Sequence, residues 1–370
     1  MELEKPSKWN RLSTKVHALL HDKKGVRYFI AALLLIIATG GITFALIRPT
    51  PAHNSNLTVT PKPPEPQKYY SPLTGLEVKD KAATKKQITA IMIENSPDAR
   101  PQSGLKEAGV VFEAIAEGGI TRFAALYQQT KPALIGPVRS VRPYYLTWIK
   151  PFDPAVAHIG GSANALREVR SGQYKDIDQF FNAQAYWRAT DRYAPHNVYT
   201  SFQKLDALNA AKHYTSSKAT GFIRQPIPKK HATPPKPKKL EKASSIAITI
   251  SSPWYNPSYT YNTKTKLYAR SLNGTIHNDR EKGQLAPRVV IVMKVPTKIG
   301  LEDGYREQMT TSGSGDVYVF QDGTVVKGSW HKKNKNTQLT FTDKNNQPIP
   351  LGRGQTWITV TAPEKAVSWR

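Results

Sequence analysis

Residues 28–47, YFIAALLLIIATGGITFALI, form a run of twenty positions without a charged side chain. A helix of that length rises about 30 Å, the thickness of bilayer hydrocarbon, so the run predicts a transmembrane helix. Seven basic residues precede it (Lys5, Lys8, Arg11, Lys15, Lys23, Lys24 and Arg27) and three acidic ones (Glu2, Glu4 and Asp22). Only Arg48 follows it closely. This asymmetry predicts a cytoplasmic basic tail over residues 1–27, a single-pass anchor in the cell membrane, and residues 48–370 outside. A cleaved signal peptide is the rival reading. Its apolar core would be shorter, about 7–15 residues, and Thr43-Phe44-Ala45 is a poor cleavage site. A buried core helix would show a polar face, and this run has none.

The chain has no cysteine, which excludes disulfides, thiolate chemistry, Cys-ligated zinc, iron–sulfur clusters and a lipid-modified N-terminal cysteine. Its formal charge is +26, most of it beyond residue 47. Outside a cell such a charge favours polyanions: wall polymers, anionic lipid surfaces or extracellular nucleic acid. Part of the charge lies in two Pro-rich stretches, residues 48–68 and 223–243, read as an extended stand-off linker and an exposed basic linker.

Between these linkers, residues 69–222 mix strand and helix signals. ITAIMI (88–93), VVFEAIAE (110–117), TRFAALYQQ (121–129) and VAHIG (156–160) read as strands. RPYYLTWI (142–149), SANALREVR (162–170) and SFQKLDALNAAKH (201–213) read as helices, the last with Thr200 and Gln203 placed as a capping box. Residues 244–370 contain short β-type runs separated by turn signals, with Asp322-Gly323 marking a hairpin. The expected fold class is α+β: the N-terminal transmembrane helix, a layered α/β domain with a mixed sheet, then a β-rich domain.

Chemistry-bearing residues are densest from Glu113 to Arg142. With Gly118-Gly119 as a two-residue turn, Glu117 would pair with Ile120, Ile115 with Arg122, and Glu113 with Ala124. Glu113, Glu117 and Arg122 would then share one sheet face, with Arg122 reaching both carboxylates. That arrangement is either an ion-pair network or a catalytic carboxylate pair. The pair spans about 13 Å of strand, wider than the carboxyl spacing of glycosidases. Arg139 and Arg142 flank a helix start at Pro143 and suit an anion, or else pair internally with the glutamates. His158-Ile159-Gly160-Gly161-Ser162 reads as strand end, turn and helix start. Ser162 then serves as N-cap, or as a nucleophile with His158 beside it. Arg188, Asp191, Arg192, His196 and Asn197 form a second polar group. His158, His196 and Glu113 lack ligand-type spacing, so no metal site is expected, and nothing calls for a cofactor.

The order of these motifs resembles the YerB-like family of bacterial extracytoplasmic proteins, a family of unknown function. The stretches that carry it are Glu94-Asn95 with ARPQSGL (99–105), FEAIAEGGITRF (112–123), IGPVRSVRP (135–143), HIGGS (158–162) and RYAPHNVY (192–199). They continue with YARSLNGTIHND (268–279), VFQDGTVVKGSW (319–330) and LGRGQTWITV (351–360). The resemblance spans roughly residues 70–370 and implies a two-part fold outside the membrane. It implies no catalytic residues, and the family's typical member looks like a lipoprotein.

The expected role is a binding or scaffold protein of the cell envelope, its partner an anionic wall polymer or an envelope protein. The expected ligand residues are Arg122, Arg139, Arg142, His158, Ser162, Arg192, His196 and Asn197. The alternative is an envelope glycan hydrolase or transferase using Glu113 or Glu117 as acid/base, with His158 a further catalytic candidate. Extracellular DNA binding is a third reading, resting on charge and aromatics alone, with no nucleic-acid motif beside them.

Overall fold

The computed structural model describes residues 23–46, 67–227, 240–300, 304 and 306–370. The chain divides into two units, Met1–Pro66 and Gln67–Arg370. Residues 1–22 of the basic tail, nearly all of the first linker and residues 228–239 of the second lie outside the described residues.

In the first unit a helix, α1, runs Lys23–Leu46. Among the described residues no helix is long and apolar enough to cross a membrane. The first turns of α1 also carry Lys23, Lys24 and Arg27. The transmembrane helix is therefore corrected. With it go the single-pass membrane partnership and the membrane localisation with residues 48–370 outside, both of which rested on that helix.

The second unit is α+β and is built on an eleven-stranded mixed sheet. Its strands, with those of a smaller second sheet, are β1 Thr89–Glu94, β2 Val110–Glu117, β3 Ile120–Tyr127, β4 Ala155–His158 and β5 Lys175–Asp178. They continue as β6 Glu241–Lys242, β7 Ser245–Ile248, β8 Pro257–Asn262, β9 Leu267–Leu272, β10 Thr275–Ile276 and β11 Val289–Lys294. The last are β12 Gly313–Gln321, β13 Thr324–Lys332, β14 Thr340–Asp343, β15 Thr356–Thr361 and β16 Val367–Trp369. The large sheet has the order β6-β13-β12-β11-β15-β2-β3-β1-β4-β5, with β14 also on β13. The smaller has the order β10-β9-β8-β7-β16. The large sheet thus takes strands from both sides of the second linker, joined where β15 lies parallel to β2. The helices are α2 Pro143–Ile149, α3 Ala163–Val169 and α4 Phe202–Ala211.

Side-chain alternation sorts the two faces. Met92, Phe112, Ala114, Ala124 and Leu126 point to one face, where Tyr145 and Trp148 of α2 and Val169 of α3 pack. Ile91, Val111, Phe123 and Trp357 point to the other, against Leu205 and Leu208 of α4. Further along that face Val290, Val292 and Phe320 meet Ile246, Tyr259 and Tyr268 of the second sheet. Asp322 (φ 55°) and Gly323 (φ 71°) make the expected hairpin turn. The α4 cap lies one residue beyond the predicted one: Ser201 is the N-cap and accepts from the Lys204 amide, while Thr200 donates to Ala185.

Gly118 (φ 55°) and Gly119 (φ 78°) form the turn between β2 and β3, and Glu117 faces Ile120 as expected. Beyond that pair the register differs. Ala116 is an extra residue on β2, a β-bulge, so Arg122 faces Ala114, and Glu113 faces Phe123. One residue of slip moves a side chain to the opposite face. Glu113 therefore leaves the face of Arg122, while Glu117, beyond the bulge, stays beside it. A Val at position 119 would be forced to positive φ, at a cost of about 1–3 kcal/mol. Gly119→Val is expected to lower the melting temperature of the folded unit, and an unchanged melt would contradict this account of the turn.

Candidate functional site

Strands β1, β2, β4 and β5 run in one direction, so Glu94, Glu117, His158 and Asp178 all sit at one edge of the sheet. In open sheets with parallel strands the crevice beyond the carboxyl ends is the usual ligand position. Three side-chain groups occupy this edge or lie near it.

The first surrounds Glu117. Arg122 Nη2 lies 3.1 Å from Glu117 Oε1, Arg142 donates to Oε2, and Arg306 Nε lies 3.3 Å from Oε2. Arg122 also donates to the Ser140 carbonyl at 2.9 Å. Burial alone would raise the Glu117 carboxyl, but Arg122 and Arg142, with hydrogen bonds from Arg142 and Arg306, bring it down to about 2. Arg122 and Arg142 are buried, and the Nε of each has no hydrogen-bond partner among the described residues.

The second group surrounds Glu94, which faces Arg122 across the strand pair. Its Oε1 accepts from Ser96 Oγ at 2.9 Å and lies 2.9 Å from His196 Nδ1 and 3.4 Å from Arg139 Nε. Its Oε2 is buried without a partner among the described residues. Ser96, His196 and a carboxylate suggest a nucleophile relay, but Ser96 Oγ (3.2 Å) and Glu94 both face Nδ1. A relay needs serine and acid on opposite ring nitrogens. Arg192 donates to the carbonyls of Asp98 and Pro101, and Asn197 bonds to Arg188, Ala189 and Arg192. Both of these hold the loop in shape.

The third group surrounds Glu113, on the opposite face. Arg270 Nη2 lies 2.9 and 3.0 Å from its two oxygens, and Trp357 Nε1 donates to Oε2 at 2.9 Å. Arg270 Nε donates to His277 Nδ1 at 3.0 Å, which leaves the Nε2 hydrogen to donate to Gln102 Oε1, also 3.0 Å away. Burial, then the charge of Arg270, holds His277 well below the ordinary histidine value. This closed network joins β2 and β15 to the second sheet. Sequence reasoning missed Arg270 and His277 as partners. The alternation Tyr268, Arg270, Leu272 marks Arg270 as inward-facing, but nothing local names its counter-charge.

The sequence-predicted catalytic candidates are thus internal partners. Glu113 is fully buried and saturated, and Glu117 is held as a carboxylate. His158 is buried with Nδ1 2.8 Å from the Gly160 carbonyl and Nε2 3.0 Å from Asp176 Oδ1. Both ring nitrogens are thus engaged by internal partners. Ser162 occupies the N-cap position of α3, but its side chain makes no capping bond and its Oγ is buried without a partner among the described residues.

Arg139 is the partly exposed member of the predicted arginine set near this edge. With Ser140, Gly160, Gly161, Arg170 and Phe180 it lines a cleft of about 480 Å³. Arg170 is fixed by Asp178, 2.7 Å away. Among the described residues no cluster of His, Asp and Glu forms a metal-type group.

Residues 73–215 match the N-terminal domain, and residues 246–358 the C-terminal domain, of a family described as a protein of unknown function, DUF3048. YerB of Bacillus subtilis (strain 168), whose name describes it as a lipoprotein, is 32% identical over 309 residues, 83% of this chain and 90% of its own length. The chain belongs to the DUF3048 family. The crystal structure of YerB from Bacillus subtilis superposes with a TM-score of 0.71 at 30% identity, covering 81% of this chain and 99% of that one. The YerB-like resemblance read from the motifs is therefore a true family relationship. The stretches that carry the resemblance contain Glu94, Gln102, Glu113, Glu117, Arg122, Arg139, Arg142, His196, Arg270 and His277, most of the residues that build the three groups.

Proposed function

We propose that this DUF3048 protein is an extracytoplasmic binding protein of the bacterial cell envelope that takes an acidic wall polymer in the Arg139 cleft. The lipoprotein name of its Bacillus subtilis relative supports the envelope setting. The observation that carries the ligand chemistry is a surplus of cations behind the cleft. Among the described residues Arg122, Arg139 and Arg142 form ion pairs with two carboxylates, Glu94 and Glu117. Two of those arginines are buried, where like-charge repulsion is weakly screened, so an anion entering beside Arg139 relieves it. Arginine also presents a fork suited to carboxylate and phosphate.

The glycan hydrolase or transferase reading has less support. A general acid near neutral pH needs a raised carboxyl, and Glu117 is held at about 2. Glu113 has no route to a substrate while Arg270 and Trp357 cover it.

Binding of purified anionic wall polymer, followed by calorimetry, tests the proposal. Arg139→Ala is expected to weaken binding about tenfold or more while the fold persists. Affinity in the parent should fall with added salt, because exposed charges are screened beyond about 8 Å at 0.15 M. A folded Arg139→Ala protein that binds as tightly as the parent overturns the proposal, and so does release of glycan fragments by the parent.

A further inference from the structure

Phe180 and Phe181 are consecutive, and they are 66% and 69% exposed beside the Arg139 cleft. Single exposed apolar residues are common, but two adjacent aromatics held rigidly in the open are not. The turn that carries them, Gln179–Phe181, is locked from beneath. The buried Asp178 accepts from the amides of Phe180 (3.2 Å) and Gly160 (3.1 Å) and pairs with Arg170. Asn182 Nδ2 closes the turn on the Asp178 carbonyl at 2.7 Å. The Arg170 guanidinium lies 4.9 Å from the centre of the Phe181 ring. Phe180 stands over Gly160, where a Cβ would meet its ring at 3.1 Å. The lip is therefore a preorganised aromatic surface with two guanidinium groups beside it, over a floor of two glycines.

We infer that the occupant of this cleft is an acidic saccharide, with a sugar ring stacked on Phe180 and its anionic substituent facing Arg139 and Arg170. This inference rests on the anion-binding reading above and adds the sugar. A sugar ring carries a flat face of C–H bonds that packs on an aromatic ring, and hydroxyl and acidic groups at its rim. One molecule thus matches both halves of the site. An extended acidic peptide matches the arginines and leaves the Phe180 face without a flat partner. The missing side chain at Gly160 lets the Phe180 ring rest close to the backbone, which fixes the ring's position at the lip.

The test uses three probes on the full chain: an oligogalacturonate, an oligo-glutamate of equal charge, and an uncharged cello-oligosaccharide. Oligogalacturonate is expected to bind about tenfold tighter than oligo-glutamate. Phe180→Ala should bring oligogalacturonate down to the oligo-glutamate level while leaving oligo-glutamate unchanged. Phe180→Trp, which keeps a ring, should retain tight binding. The exposure of Phe180 leaves the fold intact in both variants. Equal binding of the two acidic probes, or a loss in Phe180→Ala that is the same for both, overturns the saccharide inference and leaves the anion reading standing, provided Arg139→Ala still weakens binding about tenfold or more. Failure of both acidic probes overturns both, and so does binding of the uncharged oligosaccharide as tightly as the acidic one.

Discussion

Arg270→Ala is expected to destabilise the folded unit by about 3–5 kcal/mol, the usual cost of leaving one member of a buried ion pair alone. Arg270 and Glu113 are fully buried, their atoms 2.9 Å apart, and the Arg270 guanidinium lies 4.5 Å from the centre of the Trp357 ring. Removing the guanidinium leaves a carboxylate with Trp357 as its close donor and deprives His277 Nδ1 of its donor. The loss is large because this pair fastens β2 of the N-terminal half to β9 of the C-terminal half, two strands with no backbone ladder between them. Glu113→Gln with Arg270→Ala should recover part of the loss, since the stranded charge is gone, and the two changes should couple strongly. Urea unfolding of the parent, both single variants and the double variant measures this. An Arg270→Ala protein within about 1 kcal/mol of the parent, or strict additivity, would show that the pair does not hold the halves together.

Most of the second unit's elements were legible because their signals are local. Alternating apolar residues placed β2 and the strands of residues 244–370. Pro143 marked the start of α2 and Ser162 that of α3. The register of β2 against β3 was legible only at its turn. A bulge at Ala116 leaves no mark on the alternation of VVFEAIAE, because Ala114, Ala116 and Ile115 are all small or apolar. That one extra residue decides which glutamate meets Arg122, so the expected Glu113–Arg122 contact became Glu113–Arg270, with a partner 157 residues away. The apolar run at 28–47 shows the converse problem: composition suggested a membrane span, and helix α1 as described does not reach the length and apolarity one requires. Nothing local in the sequence marks Phe180 and Phe181 as exposed, since apolar rings ordinarily enter a core. Only the Asp178 cap, visible in three dimensions, turns them outward. Arg139 and Arg142 read in the sequence as an anion site or as internal partners of the glutamates; the structure pairs Arg142 with Glu117 and sets Arg139 3.4 Å from Glu94. The difference between partly exposed Arg139 and buried Arg122 and Arg142 depends on packing that the sequence does not carry.

The same difference sets the acid response of the unit. Glu117 titrates at about 2 in the folded protein, against 4.5 for an ordinary glutamate. A depressed carboxyl contributes stability above the unfolded value, and that contribution is lost as pH falls through the folded one. The parent should therefore lose up to about 3 kcal/mol from this group between pH 5 and pH 2, starting near 4.5 and complete near 2. Glu117→Gln removes the charge at every pH and strands Arg122 and Arg142, both nearly fully buried, at a cost of about 3–5 kcal/mol at neutral pH. Its stability should then change less than the parent's between pH 5 and pH 2, and the two curves should converge in acid. Arg142→Ala should also flatten the parent's acid slope, because it removes the cation that donates to Glu117 Oε2 and weakens the pull on the carboxyl. Thermal melts from pH 7 to pH 2.5 at fixed salt separate these outcomes. Parallel curves for parent and Glu117→Gln would mean that the carboxylate is not the anchor of the arginine cluster. A convergent pair would establish that Arg122 and Arg142 are held in place by Glu117.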